Sequence, residues 1–440
     1  MKFPPLLTNI KHLHIIQHVT ALMRSPVFEK LYFPIIGILY ICYALISERQ
    51  NLFGDEWRYL YYADNLIQGY YSPSDRVFLW NGPLYPLFLV PFQILEIPKS
   101  YALAANGIFY AFALKLLYKI LLERCQIGHA RLAIFFLTIY LPIIVHFKLL
   151  YTETMSFFLV SAWIYCFLQA CRKQSFYWWC MASICFALIA LCKVLYGHVI
   201  LSLILIACVA LWISKAKKLW SRTLLHGLFA LFLCSPYLIY TYKLTGKIFY
   251  WGSPGSSALY WMSSPYPEET GEWFHQGHVY GNPVLRDHHR SLYDRVTGLD
   301  QNPDLSTMEQ VFNLSTPESS DIFSSEAIKH IKMHPLKYFK NWLANLGRLW
   351  VDWPYSFKNT LSTSNRYLVF NSVLIFLVGM VVLRKMRGML HFTPETKVLW
   401  ATFALAFFGS SLVSGMGRLM IPNIPLLIVA SLYSLNTKTR

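Results

Sequence analysis

A chain of 440 residues that is 55% hydrophobic and 17% aromatic, with only 14% of its residues charged, falls far short of the roughly 25% charged content of an ordinary soluble domain, which excludes a water-soluble globular enzyme. The net charge of +17 would suit nucleic acid, yet no Lys/Arg tract sits in a polar module, and a basic balance in an apolar chain marks cytoplasmic loops, so no nucleic-acid partner is expected. Apolar runs long enough to cross about 30 Å of hydrocarbon recur without the alternation of barrel strands, which predicts an all-α polytopic protein surrounded by membrane lipids.

Taken in order, residues 1–30 form a basic tail carrying Lys2, Lys11, Arg24 and Lys30. It lacks a small-residue cleavage site, so segment 31–47 reads as an uncleaved first span with its N-terminus in the cytoplasm. The stretch 54–86 then faces outward as an acidic first loop. Asp55 and Glu56 stand where the chain re-enters water, a helical pattern puts Asp55, Tyr59, Tyr62 and Leu66 on one stripe, and the turn Trp80-Asn81-Gly82-Pro83 follows. The plainer reading makes Asp55 a helix N-cap with Glu56 at the positive end of the dipole; the functional one turns Asp55 toward a substrate cavity at the bilayer surface. Segment 84–97, short and interrupted by Pro86 and Pro91, suits a helix lying in the interface.

Spans are expected at 101–121 and 131–150, with Arg124 and Arg131 between them on the inside, and Tyr151 and Glu153 on the next outer turn. Segments 154–171, 176–192, 194–214 and 223–242 continue the crossings, leaving Lys193 outside and Lys215, Lys217, Lys218 and Arg222 inside. Residues 243–365 are too long and polar for a simple connection and read as one large outer loop or lid, ending in a basic and aromatic surface helix over 334–350. Three more spans, 367–383, 398–415 and 419–435, bring the total to about ten, with both termini cytoplasmic. The chain thus divides into a tail (1–30), a membrane module (31–242), the lid (243–365) and a C-terminal three-helix module (366–440).

Nine cysteines fall mostly in apolar segments and none lies in 48–100 or 243–365, which argues against a disulfide framework or a CxxC metal site. His275, His278, His288 and His289, without a partnering Cys or an expected helix, read as a solvated loop. Trp251, Tyr260, Trp261 and Trp273 either line a saccharide or lipid pocket or simply sit at the interface. Asn313-Leu314-Ser315 is a glycosylation sequon by pattern, meaningful only in a eukaryotic secretory compartment. Lys193 and Arg418 are outward cations set against the positive-inside trend; a lipid phosphate is one reason for them, snorkelling the plainer one. Glu153 is either a second outward acid able to share a divalent cation with Asp55 or Glu56, or an ordinary acid at a helix start.

In this order the features resemble the polyprenyl-phosphate-sugar-dependent glycosyltransferases of the GT-C fold, the group of protein O-mannosyltransferases and the lipid A aminoarabinose transferase (glycosyltransferase family 39-like). The matching pieces are Asp55, Glu56 and Tyr59, the turn from Trp80 to Pro86, Glu153, the segment 188–193 ending in Lys193, the proline-containing helix and its exit over 235–250, the surface helix 334–350, and Arg418 opening the last span. Two positions depart from the pattern: Lys193 stands where an Arg is commoner, and no Tyr follows Arg418.

The resemblance implies a GT-C fold and an integral-membrane glycosyltransferase. It would move a sugar, with inversion, from an undecaprenyl- or dolichyl-phosphate carrier to a lipid, glycan or protein on the extracytoplasmic face. Asp55 is then the general base, supported by Glu56, because a carboxylate must take the acceptor proton while cations neutralise the departing phosphate. Tyr59, Trp80, Tyr151, Lys193 and Arg418 would contact substrate, and Asp55 with Glu153 would hold a divalent cation (Mg²⁺, Mn²⁺ or Zn²⁺) if one takes part. A bacterial inner membrane with a periplasmic active site is the implied setting. The alternative is a transporter or lipid flippase, which predicts ionisable groups in mid-span and broken helices in paired halves.

Overall fold

A computed structural model describes residues 27–47, 51–274, 276–298 and 313–436. Lys2, Lys11 and Arg24 of the basic tail, and His275, lie outside the described residues. Among those described, every regular element is a helix and none is a strand. The first is α1 (Val27–Ile46), followed by α2 (Glu56–Ile67) and α3 (Leu84–Ile94). With a rise of about 1.5 Å per residue, the 11 residues of α3 reach only about half the hydrocarbon thickness, in keeping with an interfacial helix.

Next come α4 (Lys99–Leu122), α5 (Ile127–Thr138) and α6 (Leu141–Ile144). The expected span over 131–150 is therefore broken. Pro142 has no N–H and its ring opposes the carbonyl four residues back, so a helix cannot run through it unbroken. The chain instead turns from Val145 to Thr152, and the side-chain amide of Asn106 holds this turn by donating to the Phe147 and Leu149 carbonyls at 3.1 and 3.0 Å.

The membrane part continues with α7 (Glu153–Lys173), α8 (Phe176–Cys192), α9 (Leu195–Ile213) and α10 (Lys217–Thr245). The long polar segment 243–365 holds α11 (Pro254–Met262), α12 (Gln276–Gly281), α13 (Pro283–Thr297), α14 (Pro317–Met333) and α15 (Pro335–Val351). The chain closes with α16 (Leu361–Met386), α17 (Pro394–Ser411), α18 (Gly417–Met420), a 3₁₀ turn (Ile421–Asn423) and α19 (Ile424–Leu435).

Seven of the described helices are long and apolar enough to cross a bilayer: Glu29–Ile46, Lys99–Leu122, Glu153–Lys173, Leu195–Ile213, Lys217–Thr245, Leu361–Met386 and Gly417–Leu435. The protein is accordingly an integral membrane protein. The other expected crossings correspond to the broken α5–α6 pair, to the 17-residue α8, and to α17, whose first turn is Pro-Glu-Thr-Lys.

α7 and the last span are the most deeply enclosed, with 78% of each apolar window buried. Polar ties cross between helices where water is absent and an unmet donor is costly. Tyr196 donates to Asn423 at 2.7 Å, Tyr140 to Asn371 at 2.6 Å, and the Trp163 indole to His226 at 3.0 Å.

Segment 243–365 has its own apolar cluster around Tyr260, Trp261, Phe274, Tyr293 and Phe323. α15 is amphipathic in the unusual sense. Asn341, Asn345 and Arg348 are buried on one stripe, while Leu336, Phe339 and Leu343 are exposed on the other.

Candidate active site

Gly54 has φ of +57°, and a Cβ there would stand 2.2 Å from the Tyr151 hydroxyl, so only glycine lets the chain pass between α1 and α2. That hydroxyl accepts from the Asp55 backbone N–H at 3.2 Å and donates to the Phe53 carbonyl at 3.3 Å. Tyr151 thus braces the turn that presents Asp55.

Asp55 occupies the N-cap position of α2, yet its side chain makes no capping hydrogen bond. Its carboxylate is engaged elsewhere: Oδ1 is 2.6 Å from the Arg58 guanidinium and Oδ2 is 2.8 Å from that of Arg418. Arg58 follows from helical spacing, one turn on, whereas Arg418 arrives from α18. Burial pushes the Asp55 carboxyl up, but the two guanidiniums, with Lys193 beyond, outweigh it and hold the group below the usual carboxylate range.

Glu56 points away. Successive helical residues diverge by about 100°, and the Glu56 carboxylate is wholly buried, accepting from the backbone N–H groups of Phe53 at 2.7 Å and Leu150 at 2.9 Å and pairing with Lys99 at 3.0 Å. It locks the first loop to the turn before α7 and does not border the cavity described below.

Glu153 opens α7 and meets Lys193, at the end of α8, at 3.1 Å; the side chains are 2% and 19% exposed. The Arg418 guanidinium lies 5.3 Å from the centre of the Tyr151 ring, and that of Arg58 lies 5.3 Å from the Trp80 ring. Arg58 also donates through Nε to Asn81 at 3.3 Å, and the Asn81 amide donates to the Tyr59 hydroxyl at 3.2 Å. The Trp-Asn-Gly-Pro turn can lie against the end of α8 because position 82 has no side chain: a Cβ there would come within 2.1 Å of the Leu191 carbonyl oxygen.

These groups border one cavity of about 890 Å³. Asp55, Arg58, Tyr59, Trp80, Glu153, Lys193 and Arg418 form its charged end, with three cations against two carboxylates. Trp251, Pro254 and Trp273 border it from segment 243–365, and Trp273 meets Trp80 edge to face at 6.5 Å. Away from the charges, the wall is built from helical stripes: His198, Ser202 and Ile206 on α9, and Ala401, Leu405 and Phe408 on α17. One space therefore joins a cationic head to a flank of largely apolar side chains between α9 and α17. Of the residues singled out from sequence, Asp55, Tyr59, Trp80, Glu153, Lys193 and Arg418 converge there; Tyr151 stands behind Asp55 and Arg418, and Glu56 behind the loop.

Arg58 and His198 were not anticipated, and Asn81 was singled out only as part of the Trp80-Asn81-Gly82-Pro83 turn. Arg58 was legible as the i+3 partner of an acid at a helix start; no pattern in the sequence marked His198.

As a metal site the Asp55 and Glu153 pair fits poorly, because both carboxylates already face guanidinium or ammonium groups that a divalent cation would have to displace. Among the described residues, the cluster with metal-ligating geometry is Glu269, His288 and His289, in segment 243–365. This corrects the expectation of a solvated histidine loop: His288 and His289 sit on α13, which Asn282 caps by accepting from the Val284 and Leu285 N–H groups at 2.9 and 3.2 Å, with Pro283 at its first position.

No protein-family model and no curated protein matches the sequence. Solved structures do match. The archaeal oligosaccharyltransferase AglB from Archaeoglobus fulgidus, in complex with an inhibitory peptide and a dolichol-phosphate, shares 13% identity with a TM-score of 0.47 over 93% of this chain and 50% of that one. ArnT from Cupriavidus metallidurans bound to undecaprenyl phosphate shares 12% identity with a TM-score of 0.41 over 94% of this chain and 77% of that one. The chain spans about half the length of the archaeal oligosaccharyltransferase it matches. These are likenesses of chain course at low identity.

Proposed function

We propose that this protein is a membrane glycosyltransferase that takes a sugar from a polyprenyl-phosphate carrier and transfers it, with inversion, to an acceptor at the extracytoplasmic face of a bacterial inner membrane. The observation that carries the reading is the continuity of a charged end holding Arg58, Lys193 and Arg418 with an apolar wall from α9 and α17. A lipid phosphate has that polarity: an anionic head needing cations and a hydrocarbon tail needing an apolar flank. The ordered resemblance of the sequence to GT-C enzymes agrees with it.

In this scheme the acceptor oxygen or nitrogen attacks the anomeric carbon as the bond from that carbon to the phosphate oxygen breaks. Asp55 takes the acceptor proton, and the phosphate leaves with its negative charge met by the cations. A carboxylate held by two guanidiniums is a weak base, so the donor has a second task. Its phosphate competes for Arg418, frees Oδ2 of Asp55, and lets the carboxyl pKa rise toward its ordinary value. Donor binding and activation of the base are then one event. Glu153, paired with Lys193, sets the position of the lysine; Tyr151 and Glu56 act as positioning residues. No step runs through a metal.

The test compares cells lacking the gene with cells complemented by the wild-type protein or by Asp55→Asn. Mass spectrometry of envelope lipids, glycans and proteins should lose one sugar increment on deletion, regain it with the wild type and not with the variant. A complete set of increments in the deletion strain, or full rescue by Asp55→Asn, would sink the proposal.

A further inference from the structure

Segment 243–365 contains a built constellation that the transfer scheme does not use. Glu269 comes from the connection after α11, and His288 and His289 are neighbours on α13. Nδ1 of His288 and Nε2 of His289 approach the same carboxylate oxygen, Oε1 of Glu269, at 2.9 and 2.8 Å. One ligand atom from each of the three residues lies within 4.8 Å of the others. Glu269 and His289 are each only 1% exposed, while the His288 side chain is 21% exposed.

Each of the three is held from behind. The Ser264 hydroxyl donates to the other oxygen, Oε2, at 2.6 Å; the Tyr260 hydroxyl pairs with Nδ1 of His289 at 2.7 Å; and the Tyr266 ring stacks flat on His288 at 3.6 Å. One buried imidazole oriented by a hydrogen bond on its far nitrogen, a second fixed by ring stacking, and a carboxylate fixed through its far oxygen form the kind of outer shell that protein metal sites use to aim their ligands.

From this geometry we propose that Glu269, His288 and His289 bind a divalent transition-metal ion of the zinc class, with a fourth position open on the His288 side. Two imidazole nitrogens and one carboxylate oxygen suit Zn²⁺ and its neighbours and are a poor match for Ca²⁺ or Mg²⁺, which take oxygen sets. The ion would replace the protons now shared around Oε1 and join the connection 263–274 to α13.

That connection matters to the cavity. Four residues beyond Glu269 it carries Trp273, which borders the cavity and packs on Trp80. Between them, Glu272 takes hydrogen bonds from Ser356, at 2.5 Å from its N–H and 2.9 Å from its hydroxyl. The metal is therefore a clasp on the segment that roofs the charged end, independent of which reaction the cavity hosts.

The experiment uses the full-length, untagged protein in detergent, stripped with a chelator, re-equilibrated with ZnCl₂ or CoCl₂ and passed over gel filtration. The wild type should retain one equivalent of Zn²⁺ by elemental analysis, and its Co²⁺ form should show visible ligand-field bands. His288→Ala, at a partly exposed position, should weaken binding by about 10-fold or more, and Glu269→Gln should abolish the bands; Asp55→Asn should match the wild type. Helical content and gel-filtration profile verify that the variants are folded, and if Glu269→Gln fails that check, His288→Ala alone decides. A wild type that retains no stoichiometric Zn²⁺, or one whose Zn²⁺ content and Co²⁺ spectrum are unchanged in folded His288→Ala, overturns the assignment.

Discussion

If donor phosphate and Asp55 compete for Arg418, then removing the Asp55 charge should improve donor binding while stopping turnover. Each carboxylate oxygen now holds one guanidinium, Arg58 at 2.6 Å and Arg418 at 2.8 Å. Asparagine keeps one acceptor oxygen and turns its NH₂ toward the other cation, so one guanidinium loses its partner. Hydrogen bonds to charged groups contribute about 1.5–3 kcal/mol. The side chains of Asp55 and Arg418 are 17% and 30% exposed, and partial solvation brings the hold on the released guanidinium to about 1–2 kcal/mol, a factor of roughly 5–30 in affinity. Asp55→Asn should therefore bind a polyprenyl phosphate in nanodiscs several-fold more tightly than the wild type. Its turnover should fall by about 10²–10⁴, the usual weight of a general base. Arg418→Ala should lose donor affinity instead. Equal loss of donor affinity in Asp55→Asn and Arg418→Ala would refute the competition and leave the ion pair a purely structural contact.

Removing the ammonium in Lys193→Ala leaves the buried Glu153 carboxylate without its 3.1 Å partner and should destabilise the protein by about 3 kcal/mol, the low end for a broken buried pair. The double variant with Glu153→Gln should recover most of this in a thermal melt. Because the folded Asp55 carboxyl is held below the usual range, its contribution to stability is present above the ordinary carboxylate pKa and is lost only as pH falls through the lower, folded value. Activity should consequently show no Asp55 titration between about pH 5 and 8, and the acid limb of the pH–rate profile should move upward in Arg418→Ala. Gly82→Ala puts a carbon 2.1 Å from the Leu191 carbonyl oxygen, a backbone clash that should cost about 1–3 kcal/mol or more and lift the Trp80 turn from Lys193, read as a lower melting temperature with weaker donor binding.

The membrane character and the position of most spans were legible because hydrocarbon thickness writes directly into the length of an apolar run. The interruption at Pro142 was legible too, since a proline that deep in a run ends a helix, but hydropathy averaged over the segment conceals it. The separation of Asp55 from Glu56 follows from helix geometry alone, and pairing them as joint catalysts overlooked that neighbours on a helix face different ways. Other features were not legible. Arg418 reaches Asp55 across more than three hundred residues, and a single sequence gives the sign of each charge without its partner. Glu269 lies about twenty residues from the histidines it meets, on a different element. The helix that carries those histidines was nevertheless announced by Asn282-Pro283, a cap followed by the residue favoured at the first helical position.

Why the charged end should hold its own ions so tightly is a question about water. An open cavity with three unpaired cations would fill with solvent and counter-ions, each of which a donor phosphate would have to displace. With Asp55 bridging Arg58 and Arg418, and Glu153 on Lys193, the site carries its counter-charges as fixed side chains. On the proposed function a phosphate would enter by exchanging one internal ion pair for another, a smaller change than desolvating a bare cation, and the displaced partner would be the carboxylate proposed as base. The same exchange ties specificity to chemistry. A neutral lipid, or a sugar without its phosphate, leaves Arg418 on Asp55 and the carboxylate occupied, so it should neither bind at the charged end nor be consumed. A free polyprenol supplied in place of the phosphate should accordingly show no competition with donor, and measurable competition by the alcohol at donor-like concentration would mean that the apolar wall, rather than the cations, governs entry.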